Sequence, residues 1–151
     1  MKTSDLGAKL LRTRWFMRAP IGLFRARLGF VFGGRLLLLE HLGRKSGQWR
    51  DAVLETVARP KPDTVVIASG FGTGAQWYRN LQAQPECRVS IGGRYRAVAV
   101  ARTLADTEAV SVLARYKCEH PRAYRESSGV IEAAIGGSID EVPLVELTLR
   151  G

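Results

Sequence analysis

The residues with the clearest chemical potential are basic and hydroxyl side chains in a short turn between two apolar stretches. In sequence order the turn contains Gly43, Arg44, Lys45, Ser46, Gly47 and, three positions later, Arg50. Glycine at both ends allows positive φ and lets backbone N–H groups converge, while the side chains add donors and charge. The turn is therefore predicted to bind an anion, with a solvated basic hairpin tip as the alternative. The spacing and the following helix of a Walker loop are both absent.

The charge distribution along the chain also indicates an anionic partner. The 151-residue sequence carries a net charge of +9. Residues 1–50 hold eleven basic and two acidic residues, whereas twelve basic and twelve acidic residues balance in the remainder. All the excess charge therefore lies in the first third, which favours a phosphorylated cofactor, a membrane surface or nucleic acid as partner.

Other potentially reactive side chains give weaker signals. Cys87 and Cys118 lack the spacing of metal ligands and are interpreted as buried free thiols. His41 follows a predicted strand without ligand partners, so a structural role is favoured. The sequence therefore predicts no metal site.

Residues 1–35 are predicted to form basic amphipathic helices that precede the main body of the domain, residues 36–151. A stripe over residues 6–17 is followed by a second one at Ile21, Phe24, Leu28 and Val31, which Gly33 and Gly34 end. Such helices could rest on anionic lipid, cover a substrate or simply pack on the core. With no apolar stretch of membrane-spanning length and no signal peptide, an intracellular protein is expected, with the N-terminal helix as a candidate contact with the inner face of the membrane.

The periodicity of the remaining chain predicts strands joined by short turns. Strands are expected at 36–42, 48–58, 64–69, 87–91, 94–102 and 142–149, with turns at Pro60–Asp63 and Gly92-Gly93 and helices at 76–84 and 106–120. Val98 and Val100 are expected to point inward, and Val110, Leu113 and Ala114 to form the apolar face of the second helix. A loop with a short helix at 130–135 is expected within 122–137. The fold class is therefore α+β: one domain built on a mostly antiparallel six-stranded small barrel with flanking helices.

Three segments within residues 36–105 together resemble a known family. They are Gly43-Arg44-Lys45-Ser46-Gly47-Gln48-x-Arg50, Ala68-Ser69-Gly70-x-Gly72, and Trp77-Tyr78-x-Asn80-Leu81 leading to Pro85 and a Gly-Gly hairpin. In order and spacing they are similar to the deazaflavin-dependent nitroreductase family, an actinobacterial group. Three linked motifs are more specific than any one of them.

The resemblance implies a split β-barrel like that of flavin reductases (FMN-binding-like) and binding of the deazaflavin coenzyme F-420. It implies that the coenzyme's phosphate and oligoglutamate tail lie on this turn, with Arg44, Lys45, Ser46 and Arg50 holding the phosphate side. It further implies that Ala68, Ser69, Gly70 and Gly72 line the ring and that Trp77, Tyr78 and Asn80 form the floor beyond it. Many family members have lysine where this chain has Gly70, so one charge near the ring or tail is missing here.

The resemblance also implies the chemistry, since the reduced deazaflavin ring would carry the hydride. The candidate proton donors are Ser69, Tyr116, His120 and Tyr124, each of which could equally be a structural hydrogen-bonding residue. Flat, conjugated acceptors suit such a site, and a quinone is the leading physiological acceptor, with nitroaromatic reduction as a side activity.

Two other functional classes stay open on the sequence alone. A protein that carries or stores deazaflavin, or another ligand in the same barrel, without turnover is supported by the glycine at position 70, and turnover of a quinone would exclude it. A basic nucleic-acid-binding module is less favoured, because the aromatic residues of the first third follow helical core spacing rather than a stacking platform. A steep salt dependence of binding to DNA or RNA would mark that module. The oligomeric state is left undetermined.

Overall fold

Six antiparallel strands close into a barrel in a computed structural model that describes residues 21–69, 72–122, 124–125 and 142–150. Around the barrel the order is β1-β2-β3-β6-β5-β4, and β4 pairs with β1 to close it. The strands are β1 (Leu36–Leu42), β2 (Trp49–Lys61), β3 (Thr64–Ala68), β4 (Glu86–Ile91), β5 (Arg94–Thr103) and β6 (Leu144–Leu149). The predicted six-stranded antiparallel barrel is confirmed.

Two α-helices and shorter helical pieces complete the described structure. Helix α1 spans Gln76–Ala83 and helix α2 spans Asp106–Glu119. Short 3-10 helices lie at Gly29–Phe32 and Gly72–Gly74, and residues 21–25 are helical. Among the described residues, no helix combines the length and the hydropathy needed to cross a bilayer.

The barrel interior is filled by apolar side chains from all six strands. In β1, Leu37 and Leu39 point inward and are fully buried, whereas Leu38 packs against Phe24 and Val53 outside the barrel. This alternation follows from the two-residue period of a strand. Helix α1 inserts Trp77 and Leu81 into the same interior cluster, so its position is fixed by the core.

Separate apolar layers cover the outside of the barrel. Ala109 and Leu113 of α2 pack with Val66 and Leu144 on the outer face of β3 and β6. The predicted face of this helix is wrong in part, because Val110 is 56% exposed and Ala114 is exposed as well. The buried face instead contains Ala109 and Leu113, with Val112 packed against the same cluster.

The set of β5 side chains that points into the barrel also differs from the prediction. Val98 is 47% exposed, whereas Ala99 is fully buried in the barrel and Ala97 packs against the same cluster. A register shift between Val89 and Ile91 marks an irregularity in the pairing of β4 with β5. Alternating alanines and valines fit either face, so the sequence pattern alone could not fix which set points inward.

Two boundaries were also misplaced. Strand β2 continues through Pro60 to Lys61, where a turn was predicted, and register shifts on both sides of Ala58 accommodate the missing backbone donor. The second N-terminal stripe is not one helix, because the helical residues 21–25 give way to a turn and a 3-10 helix. Leu28 and Val31 are consequently exposed.

Some predictions lie outside the described residues. These are the first amphipathic helix within residues 1–20, the short helix at 130–135 and the position of Gly70. The division of the chain at residue 35 also stays a prediction. Of the two cysteines, Cys87 is buried, and burial raises its pKa to about 12, whereas Cys118 is exposed, contrary to the prediction that both are buried.

Candidate functional site

The predicted anion-binding turn connects β1 to β2, and its own hydrogen bonds hold its shape. We call residues 43–50 the anion turn. The Gly43 N–H donates to the Gln48 carbonyl at 2.8 Å, and the Gly47 N–H donates to the Gly43 carbonyl at 2.9 Å. Gly47 has φ +69°, a conformation that residues with a Cβ rarely adopt. The Gln48 N–H donates to the Ser46 hydroxyl at 3.2 Å, which closes the turn.

Gly43 is required by close packing rather than by its backbone angles. A Cβ at this position would lie 2.5 Å from Ser46 Oγ and 3.4 Å from Arg50 Nε. The absence of a side chain therefore lets Ser46 and Arg50 approach the backbone of Gly43 from two sides. The structure brings these predicted site residues together.

The turn leaves several hydrogen-bond donors available to a ligand. Lys45, Ser46 and Arg50 are exposed. Within the described part of the chain, the backbone N–H groups of Lys45 and Ser46 donate no hydrogen bond. Adjacent backbone donors beside a lysine and an arginine match the oxygens of a phosphate or carboxylate.

Asn80 of helix α1 anchors the anion turn to the barrel. Its side-chain oxygen accepts hydrogen bonds from the Arg44 backbone N–H at 3.1 Å and from Arg44 Nη1 at 2.8 Å. Arg44 Nη1 also donates to Gln76 Oε1 at 3.0 Å. Arg44, which was predicted to bind the phosphate, therefore uses one of its terminal nitrogens to hold the turn in place. Its Nε and Nη2 atoms are not engaged in these bonds.

His41 completes this network beneath the anion turn. It is 4% exposed, and its Nδ1 lies 2.9 Å from Asn80 Nδ2. The Arg44 backbone N–H and guanidinium can only donate, so the Asn80 oxygen faces Arg44 and the Asn80 NH₂ group faces His41. His41 Nδ1 must therefore accept, which places the imidazole proton on Nε2.

The charge state of His41 follows from its burial. Burial lowers the pKa of His41 from 6.5 to about 4, Asp51 partly opposes this shift, and Arg50 adds to it. His41 is therefore neutral near pH 7, as its role as hydrogen-bond acceptor requires. The structural role predicted for this residue agrees with its place in the network, although its link to Asn80 was not foreseen.

The residues predicted to lie near the ring are placed at the end of β3 and on α1. Ser69 and Asn80 are 0% and 2% exposed, and Trp77 is also buried. Ala68 and Tyr78 keep part of their surface accessible. Ser69 donates its backbone N–H to the Pro143 carbonyl at 2.9 Å, and Gly72 begins the short 3-10 helix that leads to α1. Among the members of the set whose burial the structure describes, Ala68 and Tyr78 are therefore the accessible ones.

The two tyrosines predicted as proton donors lie elsewhere on the barrel. Tyr116 is half-buried near Glu55, and its pKa is raised, first by burial and then by that carboxylate. Glu55 pairs with Leu36, at the opposite end of the β1–β2 hairpin from the anion turn. At the usual rise per residue this is a separation of about 20 Å along the strand. Tyr124 lies next to Lys117, whose Nζ is 5.3 Å from the centre of the tyrosine ring.

The described residues show no group of His, Cys, Asp and Glu that could hold a metal ion. The anion turn, by contrast, has the donor set that a phosphodiester needs, and Gly43 lets Ser46 and Arg50 pack closely beside it. The chain's own residues therefore fit the phosphate side of a coenzyme at this position. Gln76 was missed as a supporting residue, because its partner Arg44 lies 32 positions away in the sequence.

The depressed pKa of His41 predicts a pH dependence of stability. Unfolded His41 takes up a proton near pH 6.5, whereas folded His41 does so only near pH 4. The stability linked to His41 is therefore fully present above pH 6.5 and is lost as the pH falls towards 4, by roughly 3 kcal/mol. Urea unfolding at pH 6.5 and at pH 4 should show that the free energy of unfolding falls more for the wild type than for His41→Gln between these pH values.

The matched control for this experiment is His120→Gln, which removes an exposed histidine. Carboxylates titrate in the same window in all three proteins, so only the difference between variants reports on His41. An identical loss of stability in the wild type and in His41→Gln would contradict the neutral, hydrogen-bonded state assigned to this residue.

Comparison with solved structures places the barrel in a known fold. A structure described as an F420-H2-dependent reductase (FDR-A) matches with a TM-score of 0.53 and 21% identity, over 75% of this chain and 93% of that one. The haem storage protein HutZ of Vibrio cholerae matches with a TM-score of 0.54 and 15% identity, over 81% and 86%. At these identities the likeness shows the fold alone, which is the split β-barrel.

Sequence comparison is more specific. A protein of Mycobacterium tuberculosis (strain ATCC 25618 / H37Rv), provisionally named an F420H(2)-dependent quinone reductase, is 41% identical over 64 residues. That alignment covers 41% of this chain and 53% of the relative, so the chain matches about half of the relative's length. A family model described as F420H(2)-dependent quinone reductase matches residues 22–135, most of the chain. The chain thus belongs to the F420H(2)-dependent quinone reductase family, a family of oxidoreductases that use the reduced deazaflavin coenzyme.

Proposed function

We propose that this protein is an oxidoreductase that binds coenzyme F-420 by its phosphate side at the anion turn and reduces a quinone. The observation that carries the proposal is the anion turn itself. Its two unused backbone donors and the exposed side chains of Lys45 and Arg50 face solvent, while Asn80 fixes the loop from below. The family description supports the coenzyme and the acceptor class.

The chemistry divides between coenzyme and protein. When bound, the reduced deazaflavin supplies the hydride. The protein then has to hold the phosphate side, present the accessible face of Tyr78 and the β3 end, and supply a proton to the reduced acceptor. Lys45, Ser46 and Arg50 would bind the phosphate, with Arg44 contributing its remaining N–H groups.

Tyr116 and Tyr124 are the candidate proton donors, and both are partly accessible. The Tyr116 hydroxyl is protonated near pH 7, as a donor must be, and burial raises its pKa further. Ser69 is the third candidate. Because it is completely buried, it could act only after the surrounding part of the protein moves. Nitroaromatic compounds are proposed as secondary acceptors, because they are flat and conjugated like quinones.

The segment before β1 provides a candidate surface for the membrane in which a lipid-soluble quinone would reside. Leu23, Leu28 and Val31 are 39%, 42% and 59% exposed, and Arg25 and Arg27 lie between them. Apolar side chains interleaved with arginine suit an anionic lipid surface. Peripheral contact through this segment is therefore part of the proposal.

The first prediction of the proposed function concerns coenzyme binding. Fluorescence titration with oxidised F-420 should show that Lys45→Ala and Arg50→Ala each weaken binding about tenfold or more, because each removes a charge-assisted hydrogen bond. FMN, titrated beside it, should bind far more weakly to the wild type. Lys61→Ala is the control, since Lys61 is exposed at the far end of β2. Unchanged affinity in both turn variants would remove the anion turn from the binding site.

The second prediction concerns turnover. Oxidation of reduced F-420 should depend on an added quinone, and Tyr116→Phe should lower kcat about tenfold or more while leaving the Kd for F-420 unchanged. A shift in the Kd instead would show that Tyr116 acts in binding. Tight binding without turnover of any quinone or nitroaromatic would favour the carrier function, which the glycine at position 70 supports.

The third prediction concerns the membrane. In co-sedimentation with vesicles, the wild type should bind phosphatidylglycerol better than phosphatidylcholine, and the double variant Leu28→Ser with Val31→Ser should bind about tenfold more weakly. Val110→Ser is a matched control, because Val110 is equally exposed but lies on α2. An equal loss of vesicle binding in Val110→Ser would refute a specific role for the segment before β1.

A further inference from the structure

The tip of the β4–β5 hairpin contains an arginine nitrogen that has no partner among the described residues. Nη1 of Arg94 is buried and has no hydrogen bond within the described part of the chain. A charged group removed from water is costly unless it is paired or hydrogen-bonded. Arg94 itself is only partly buried, and it lines a cavity that an acceptor could enter, so the tip of this hairpin is a candidate anion site.

Next to Arg94 lies a cavity of about 130 Å³, lined in part by Arg27, Ser90 and the Gly92-Gly93 turn. None of the described residues that line it is acidic, so the two arginines give this part of the lining a formal charge of +2. At about 30 Å³ per water molecule, the cavity has room for about four waters. A phosphate or carboxylate group fits this volume, whereas a nucleotide does not.

The surrounding residues hold the second arginine and supply further donors. Arg27 has φ +64°, and its guanidinium carbon lies 4.6 Å from the centre of the Tyr95 ring. A non-glycine residue in this conformation has to be held there by its surroundings. The Ser90 hydroxyl accepts from the Arg96 N–H at 3.0 Å, which leaves its own hydrogen to donate.

In a neighbouring cavity, by comparison, the arginines are paired with carboxylates. It measures about 320 Å³ and is lined by Arg25, Glu40 and Arg96, among others. Arg96 donates to both Glu40 oxygens at 3.0 and 3.1 Å, and Arg25 pairs with Asp51. Its arginines are therefore neutralised by the protein, in contrast to Arg27 and Arg94.

We propose that Arg94, Arg27 and the Gly92-Gly93 turn form a second anion site, which takes a phosphate or carboxylate group. It lies beyond Ile91, at the end of the barrel opposite the anion turn, because Ser90 pairs with Leu38 and β4 runs antiparallel to β1. The site does not depend on the proposed function. Its ligand is either free phosphate or an acidic group of a longer molecule such as F-420.

The test is an NMR titration of the ¹⁵N-labelled full chain with inorganic phosphate at constant ionic strength. The amides of Gly92 and Gly93 should shift in a saturable way, and Arg94→Gln should weaken this binding about tenfold or more. Arg94→Lys should give an intermediate affinity, since it keeps the charge but loses the planar fork of donors. An intermediate affinity in Arg94→Lys would also show that the weaker binding of Arg94→Gln does not arise from a loss of fold.

Two controls separate this site from the rest of the surface. Arg115→Gln removes an exposed arginine of α2, and Lys45→Ala weakens the anion turn; both should leave the Gly92 and Gly93 response unchanged. A wild-type response that does not saturate, or an equal affinity in Arg94→Gln, would overturn the proposal and leave a solvent-filled cavity. A second titration with oxidised F-420 distinguishes the source: competition with phosphate at Gly92 and Gly93 identifies the coenzyme, and its absence identifies free phosphate.

Discussion

The interaction on which the site depends is the buried amide of Asn80. It accepts two hydrogen bonds from Arg44 and donates one to His41, so it joins helix α1 to both the end of β1 and the anion turn. Trp77 and Leu81 fix α1 in the barrel interior. The packing of the core is thereby transmitted to a loop of exposed donors, and removing the amide would leave buried polar groups unpaired at a cost of about 1–3 kcal/mol each.

The burial of His41 is part of the same constraint. A charged imidazole at this position would be repelled by Arg50, and it could no longer accept from Asn80. The lowered pKa of His41 therefore keeps its Nδ1 as an acceptor and avoids further repulsion beneath the anion turn. The positive charge of the turn is kept where water and a ligand can reach it.

The sequence predicted the elements with strong local signals. The anion turn follows from its glycines, α1 from Pro85, and the β4–β5 turn from Gly92-Gly93, and each was found at its predicted place. The phase of β5 could not be predicted, because Val98 and Ala99 suit either face. Contacts between distant residues were equally hidden: the partner of Asn80 lies 36 positions away, and the unpaired nitrogen of Arg94 has no signature in the sequence.

These contacts also explain why separate motifs occur together in one chain. The Gly-Arg-Lys-Ser-Gly segment needs an acceptor for the Arg44 N–H, and the Trp-Tyr-x-Asn segment provides it while its tryptophan seats the helix. Arg44 is bound to the scaffold, whereas Lys45 and Arg50 remain exposed. One arginine thus positions the loop, and the side chains of Lys45 and Arg50 stay accessible to solvent. Neither segment forms the site alone, so the two motifs are halves of a single structure.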